Sequence, residues 1–588
     1  MTRLLRQRLV GDDRGMALVT VIAVAAVMAT LVIAGTAMAL NSQKQGKRTA
    51  DWDAALAAAY AGVEEYRSQV TNDSTYWRYG NPAAPYTVAS GSAATVRLPP
   101  TPNPAFDLGT EGAWATVPGS DGAARFRYEV NTSTYQTNGL IRLRSTGAVG
   151  NHTRSVVASI TQEGFIKFLY WTDFEVSSVT VENATCKNNN WDPVLNRLKY
   201  SWEGRDGGQC TAIQFADTDV IDGPLYTNDH PVICGAQFND VVYTMTNKTP
   251  KYTKPQGCGN PKFAVAGSPS TPEAKIDLPP TNSEMKRETR NDLPLEVPNP
   301  GCLYTGPTSI TFTSDGYMRV RSPWTRFTQV AGSGATSGTN NASHCGLPGT
   351  ATGQLGSADG ARVPVVEGNL VFVQNVPSVT TDVNYTAQTA AEKTARCGAA
   401  NGSRNGLGYP ATNEMAAVGT YGCTVGDVFV SGVLRGHTTI AAENTIWVVG
   451  DTTYATDDDV LGLVGQTSVT VWHPIRSNYT NLLPSTDRTI KAAILSVSGT
   501  FEVQHWGDGT PMGILHVYGS IAQKYRGPVG SGYANGVRAS GYAKSYRYDS
   551  RFQTISPPKF LKTTITSFRA NQFAEVSAAF APDGSARS

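Results

Sequence analysis

Residues 16–40, MALVTVIAVAAVMATLVIAGTAMAL, run for 25 residues without a charge or a proline. An apolar run of that length spans a bilayer as a helix, for which about 20 residues are enough. The preceding segment, MTRLLRQRLVGDDRG, sets Arg3, Arg6, Arg8 and Arg14 against Asp12 and Asp13. Arginines on that side favour a cytoplasmic N-terminus and an extracytoplasmic remainder. Lys44, Lys47 and Arg48 beyond the run make the bias modest. Ala37-Met38-Ala39 has the small-x-small form of a signal-peptidase site, yet the run far exceeds the core of about 7–15 residues in a secretory signal. An ordinary signal anchor fits the run equally well.

Residues beyond Leu40 separate these readings. Trp52, Leu56, Ala59, Val63, Tyr66 and Val70 recur at spacings of four and three, a narrow helical stripe. Lys44, Lys47, Arg48, Asp51, Asp53, Glu64, Glu65 and Arg67 fill much of the remaining face. The spacing predicts a helix that continues to about residue 70, with Asn72-Asp73-Ser74 as its stop. At 1.5 Å per residue, residues 16–70 would form a rod of about 80 Å. A cleaved signal has no reason to be succeeded in register by such a rod.

Beyond the helix the chain reads as β structure. Only 16% of residues are charged and the formal net charge is +2, too small at 588 residues to imply a global nucleic-acid partner. Residues 76–104, rich in Pro, Gly, Ala and Thr, read as a loop. Alternation then marks strands at 124–130, 140–145 and 155–160, with turns at Ser145-Thr146-Gly147 and Gly150-Asn151. The apolar strand FIKFLYWTDFE (165–175) opens a second, larger unit. In the C-terminal half, β-branched runs at 427–430, 438–440, 445–449, 462–464, 468–472, 492–495, 500–503 and 515–518 alternate with polar corners. Short strands, polar corners and long outward loops suit a parallel β-helix, in which each coil stacks on the last. A sandwich or jelly roll would give similar strands.

All eight cysteines lie in one region, at Cys186, Cys210, Cys234, Cys258, Cys302, Cys345, Cys397 and Cys423. None forms a CxxC or a zinc-spaced Cys/His cluster. An even count beyond a membrane segment suits disulfides in an oxidising compartment. Pairing of sequence neighbours is the simplest choice among about 105 connectivities.

RGMALVTVIAVAAVMATL (14–31) and ALAAAYAGVEE (55–65) together resemble the N-terminal domain of PilX-type pilus assembly proteins, with their Ala-rich AxxAxAG helix. Residues 142–160 resemble the StGxxxxxxR hairpin of such proteins. Residues 426–454, 460–474, 490–506, 514–530, 542–552 and 556–560, with GPLYTND (223–229) and 302–310 upstream, are similar to large surface-exposed PilX-like proteins. The resemblance implies cleavage between Gly15 and Met16 by a prepilin peptidase. Thr20 then stands where major pilins carry a Glu thought to neutralise a neighbour's N-terminal amine, which implies an accessory or tip subunit rather than a bulk one. The expected organisation is a leader at 1–15, a membrane and assembly helix at 16–70, a pilin-like β region with a small antiparallel sheet at 71–162, a disulfide-containing β region at 163–300, a parallel β-helix-like domain at 301–572 and a tail at 573–588.

Chemistry is sparse. Asp217, Asp219, Asp222, Asp229 and His230 lie close in sequence, but Gly-Pro before Asn-Asp is also a turn constellation. Asp457, Asp458, Asp459 and Asp508, with His473, His505 and His516, are the carboxylates and imidazoles a β-helical carbohydrate enzyme would need; a solvated loop is the simpler fate for the Asp run. No P-loop, GxSxG, HExxH or dinucleotide fingerprint occurs. The basic block at 524–569, interleaved with tyrosines, offers Tyr546, Arg547 and Arg551 as ligand contacts for DNA or a surface polysaccharide; a closing segment whose tyrosines pack over the last coil is the plain alternative. The expectation is a non-catalytic, single-pass protein of the bacterial cytoplasmic membrane without a cofactor. Its partners would be other pilins and the assembly machinery, and its ectodomain would serve adhesion or surface contact. The alternatives are a membrane-anchored carbohydrate-active enzyme and a receptor for DNA or an anionic polymer.

Overall fold

The computed structural model describes residues 16–73, 75–82, 84, 86–87, 96–106, 114–135, 139–162, 164–178, 184–205, 209–272, 275–417, 419–532, 538–561, 563 and 568–587. A long N-terminal helix leads into a large, strand-rich domain. The helix is a single element, Met16–Asn72, about 85 Å long at 1.5 Å per residue. Its second half lies on a five-stranded sheet built from Ala115–Thr116, Ala124–Asn131, Leu140–Val149, His152–Gln162 and Phe568–Val576, every neighbouring pair antiparallel.

The last of these strands corrects the expectation of a C-terminal tail. The described part of 573–588 is not free, because Phe568–Val576 pairs along His152–Gln162 at the sheet edge. Arg154 holds Glu575 through two bonds of 2.7 Å. Beyond the strand, buried Arg127 donates to the carbonyl of Gly584 and lies 4.5 Å from the Phe580 ring. The chain therefore leaves this sheet after Gln162 and returns to it at Phe568, so the large domain is inserted between two neighbouring strands of the small one.

Inside the insertion, strands pair mainly in parallel and stack in long ladders. One ladder runs, in spatial order, through Cys302–Thr305, Asn369–Gln374, His437–Ala442, Val460–Gly465, Arg488–Ser496, Pro511–Tyr525, Tyr170–Phe174, Leu225–Thr227 and Val242–Thr244. A second joins Thr308–Thr313, Val428–Leu434, Ile446–Tyr454, Val469–Val471 and Phe501–Val503. A third continues from Arg488–Ser496 through Pro511–Tyr525, Arg538–Tyr548, Val220–Asp222, Gln237–Phe238 and Lys262–Phe263. Inward side chains form one apolar core that includes Ile310, Val371, Val430, Ile440, Val448, Leu463, Ile494, Val517 and Ile521.

Spatial order is not chain order. Tyr170–Phe174, the first strand of the insertion, pairs with residues 521–525, near its end. Residues 163–300 and 301–572, expected as separate regions, thus share one continuous sheet. Residues 275–301 run back along the outside of the first ladder to connect the two. Ile276 N donates to the Tyr226 hydroxyl, and the buried Asn282 side chain donates to the Ala442 carbonyl at 2.7 Å. Asn282 N donates to the Gln466 side chain, and Gly301 N reaches Glu288 O.

The seam between the first and the last strands of the insertion carries buried charge. Arg526 and Glu175, side chains 2% and 1% exposed, pair at 2.9 Å. Lys544 pairs with Asp219 at 2.7 Å, and Gln523 donates to the Tyr170 hydroxyl at 2.7 Å. Buried charges are costly without partners, so docking in any other register would strand them. Four disulfides join sequence neighbours: Cys186–Cys210, Cys234–Cys258, Cys302–Cys345 and Cys397–Cys423.

Candidate functional site: the exposed helix and its seat

The helix has two halves of opposite character. Every described side chain from Leu18 to Ala50 is exposed, including Leu18, Ile22, Leu31 and Ile33. This half is long and apolar enough to cross a membrane, and none of it is buried within the chain. From Ala55 onward a stripe is buried: Ala55, Ala58, Ala59, Val63, Tyr66 and Val70. Ala59, Val63, Tyr66 and Val70 cluster with Phe126, Tyr128, Val130, Ile141, Leu143, Val156, Ala158 and Ile160 of the sheet.

Small residues set the distance between helix and sheet. A Cβ on Gly147 would lie 2.1 Å from the Ala55 carbonyl oxygen and 2.3 Å from Ala59 N; one on Gly62 would lie 2.3 Å from Ser145 Oγ. Ala55, Ala58, Ala59 and Gly62 are thus seat residues, a role that apolar periodicity alone does not assign to Ala55 or Gly62. Aromatic rings close the far end, with Tyr66 edge-on to Tyr128 at 5.4 Å and Phe106 edge-on to Tyr128 at 4.8 Å. The Tyr128 hydroxyl donates to Glu65 at 2.7 Å.

Trp52, expected within the buried stripe, is 46% exposed. It stands where the helix leaves the sheet, with the Arg154 guanidinium 4.8 Å from its ring and His152 edge-on at 5.9 Å. Tyr60 and Phe573, both partly exposed, pack at 5.3 Å on the same unit. Lys44, Lys47 and Arg48 are exposed between this collar and the apolar run. Of the expected cleavage pair, Gly15 lies outside the described residues, and Met16 is the first residue of the helix.

Candidates for chemistry fall into structural roles. Asp229 is fully buried; its carboxylate pairs with Arg205 at 2.7 Å and accepts from Glu175 N and Ser201 N. This anchors the excursion closed by Cys186–Cys210. His230 is bonded on both ring nitrogens by Thr246 and Thr253, at 3.0 Å each, and burial pushes its pKa down to about 4. Asp219 belongs to the seam, Asp222 is exposed, and Asp217 packs by Gly235. Asp457 and Asp458 are exposed, while Asp459 is buried and accepts from Gly436 N and Thr456 N. His473 is held by Gln504 O and Asn481, with burial lowering its pKa; His505 faces Asp508 at 3.5 Å, and His516 faces Asp487 at 3.2 Å. The triplet and the histidines therefore do not converge. Among the described residues no three His, Cys, Asp or Glu side chains group to hold a metal ion.

Tyr546 is corrected as a ligand contact. It is 3% exposed and sits in the core, because strand alternation turns it inward. Its neighbour Arg547 is exposed, and Arg551 donates through Nε and Nη2 to Asp549 and through Nη1 to the carbonyl of Asp457. Where the insertion joins the small sheet, a cleft of about 380 Å³ is lined by Trp77, Tyr135, Phe165, Met285, Phe552 and Phe560. The two connecting segments clasp there, Gln553 Nε2 donating to Lys167 O and the Tyr548 hydroxyl to Ile166 O.

No protein-family model matches the chain, and no curated protein matches it. Among solved structures, the competence-associated pilin ComZ from Thermus thermophilus is similar over 90% of this chain and 97% of its own, at 11% identity and a TM-score of 0.23. Likeness at that level carries no argument about this chain.

Proposed function

We propose that this is a non-catalytic, type IV pilus-associated protein, an accessory or tip subunit of pilin-like design. One observation carries the reading: a single helix offers an apolar half exposed around its whole circumference, while its other half is seated on a sheet that holds a large inserted domain. Before assembly, residues 16–40 cross the bilayer as the single-pass anchor. Afterwards they pack among the helices of other subunits, and burial of their apolar surface drives that step. Lys44, Lys47 and Arg48 meet the headgroups, with Trp52 and Tyr60 next along the rod. The inserted domain is a parallel β-helix, a reading supported by its three parallel ladders, and it stands outside the membrane, where its disulfides are kept oxidised. Thr20, in place of the Glu of bulk pilins, fits a position with one neighbour rather than many.

The mature N-terminus, measured by mass spectrometry on protein from cells, tests the reading. A chain beginning at Met16 is the expected result. Intact Met1 would mean a simple anchor and Leu40 a secreted domain, and either would overturn assembly through the helix. Unchanged pilus assembly, adhesion and DNA uptake after gene deletion would overturn it as well.

A further inference from the structure

The third ladder presents an outward row of charged and aromatic side chains. Strand alternation turns Ile490, Val517, Tyr546 and Ile221 into the core, and so turns Lys491, Tyr518, Arg547 and Asp222 outward in register. Lys491 Nζ lies 5.9 Å from the Tyr518 ring and 5.7 Å from the Tyr454 ring; the Arg547 guanidinium lies 5.9 Å from Tyr518 on its other side. Both tyrosines are held from behind: the Tyr518 hydroxyl faces Asp549 at 3.5 Å, and the Tyr454 hydroxyl accepts from Leu461 N. Nearby arginines are committed to carboxylates, Arg551 to Asp549 and Arg488 to Asp451. Among the described residues, Lys491 and Arg547 form no such pair.

We infer that Lys491, Tyr518 and Arg547 form a subsite for an acidic polysaccharide, whose carboxylates meet the two cations that flank the Tyr518 ring. This rests on the reading that the inserted domain faces the cell exterior. Two strand spacings separate the cations, about 10 Å, roughly the length of two hexose units. The half-exposed Tyr518 ring, with a cation on each side, is the spacer that holds the two charges apart. The row also selects against a dense polyanion. Asp222 lies directly opposite Arg547, and Asp451 and Asp549 lie beside the row. Two cations with exposed Asp222 beside them are too few for a nucleic acid, which needs many to balance a phosphate every few ångströms. A glycan with one carboxylate per one or two sugars places charge only where the cations are.

The test uses the full chain in lipid nanodiscs, titrated with oligogalacturonate, neutral maltooligosaccharide and single-stranded DNA. The expected result is salt-sensitive oligogalacturonate binding, little for the other two, and a loss of about tenfold for Lys491→Ala or Arg547→Ala. Tyr518→Phe, which keeps the ring, retains binding, whereas Tyr518→Ala loses it. Circular dichroism matching the parent shows that each variant is folded, and Arg547→Lys, with charge restored, recovers part of the affinity. No oligogalacturonate binding by the parent, binding indifferent to both cations, or tighter binding of DNA through the same cations would each overturn the inference. A chain that fails to enter nanodiscs overturns the membrane reading instead, since incorporation is scored before glycan is added.

Discussion

Replacing Gly147 by alanine tests the seat of the helix with one methyl group. Gly147 lies in the strand Leu140–Val149, paired with Phe126 on one side and Arg154 on the other, so the strand cannot rotate away. The new Cβ would be 2.1 Å from the Ala55 carbonyl oxygen and 2.3 Å from Ala59 N. Both are helix backbone atoms, so the helix must lift by about 1 Å for ordinary contact, and dispersion contacts along the stripe weaken. Overpacking of this kind costs about 1–3 kcal/mol. The upper end is expected because no flexible side chain can yield, and about 3 kcal/mol corresponds to about 150-fold in an opening equilibrium. Hydrogen exchange read by mass spectrometry on peptides covering residues 55–66 and 140–149 reports that local opening. Gly164→Ala is the control, since its Cβ would meet nothing within 4 Å and its backbone is extended. Exchange unchanged in Gly147→Ala, or accelerated equally by Gly164→Ala, would refute close approach as the reason for the glycine.

Four further outcomes are expected. Val24→Arg places a charge mid-span at a cost of about 2.5–3.5 kcal/mol, so the variant should appear in carbonate-extractable fractions where the parent does not. Arg526→Met leaves Glu175 buried without its partner at the seam, a loss of about 3–5 kcal/mol, visible as a lower denaturant midpoint for the inserted domain. Cys186→Ser with Cys210→Ser opens a loop with a sequence separation of 24; a loss of about 3 kcal/mol should expose residues 187–209 to limited proteolysis. His230 has a folded pKa of about 4, below its ordinary value of 6.5, because burial disfavours the charged ring. Its contribution is full above about pH 6.5 and lost as pH falls toward 4, since the unfolded chain binds the proton first. Asp427, pushed up to about 6 by burial, acts with opposite sign in that window, so the readout is the difference in melting temperature between His230→Gln and the parent, which should shrink as the pH is lowered from 7 to 4.5.

Local elements were largely readable in the sequence. The helix expected to end near residue 70 ends at Asn72, and strands expected at 124–130, 140–145 and 155–160 appear as Ala124–Asn131, Leu140–Val149 and His152–Gln162, the turn expected at Ser145-Thr146-Gly147 being instead the middle of the second strand. The runs at 438–440, 462–464 and 500–503 mark His437–Ala442, Val460–Gly465 and Phe501–Val503. Each depends on periodicity within a few residues. Trp52 failed because the stripe says which side faces the sheet but not where the sheet ends. Tyr546 failed because tyrosine suits either face of a strand, and Lys544, two residues earlier on the same face, is charged and finds its partner Asp219 only in the fold.

By itself the sequence determined the apolar run at 16–40, its continuation as one helix and the strand-rich character of the rest of the chain, because length, charge and periodicity are properties of contiguous residues. The tertiary structure decided that Phe568–Val576 closes the small sheet, that Tyr170–Phe174 stacks on residues 521–525, and that residues 275–301 cross the outside to make this order possible. Short strands of β-branched residues are nearly interchangeable as ladder partners. Which two meet is chosen by buried pairs such as Arg526 with Glu175 and Lys544 with Asp219, whose members lie hundreds of residues apart and find their partners only in the folded chain.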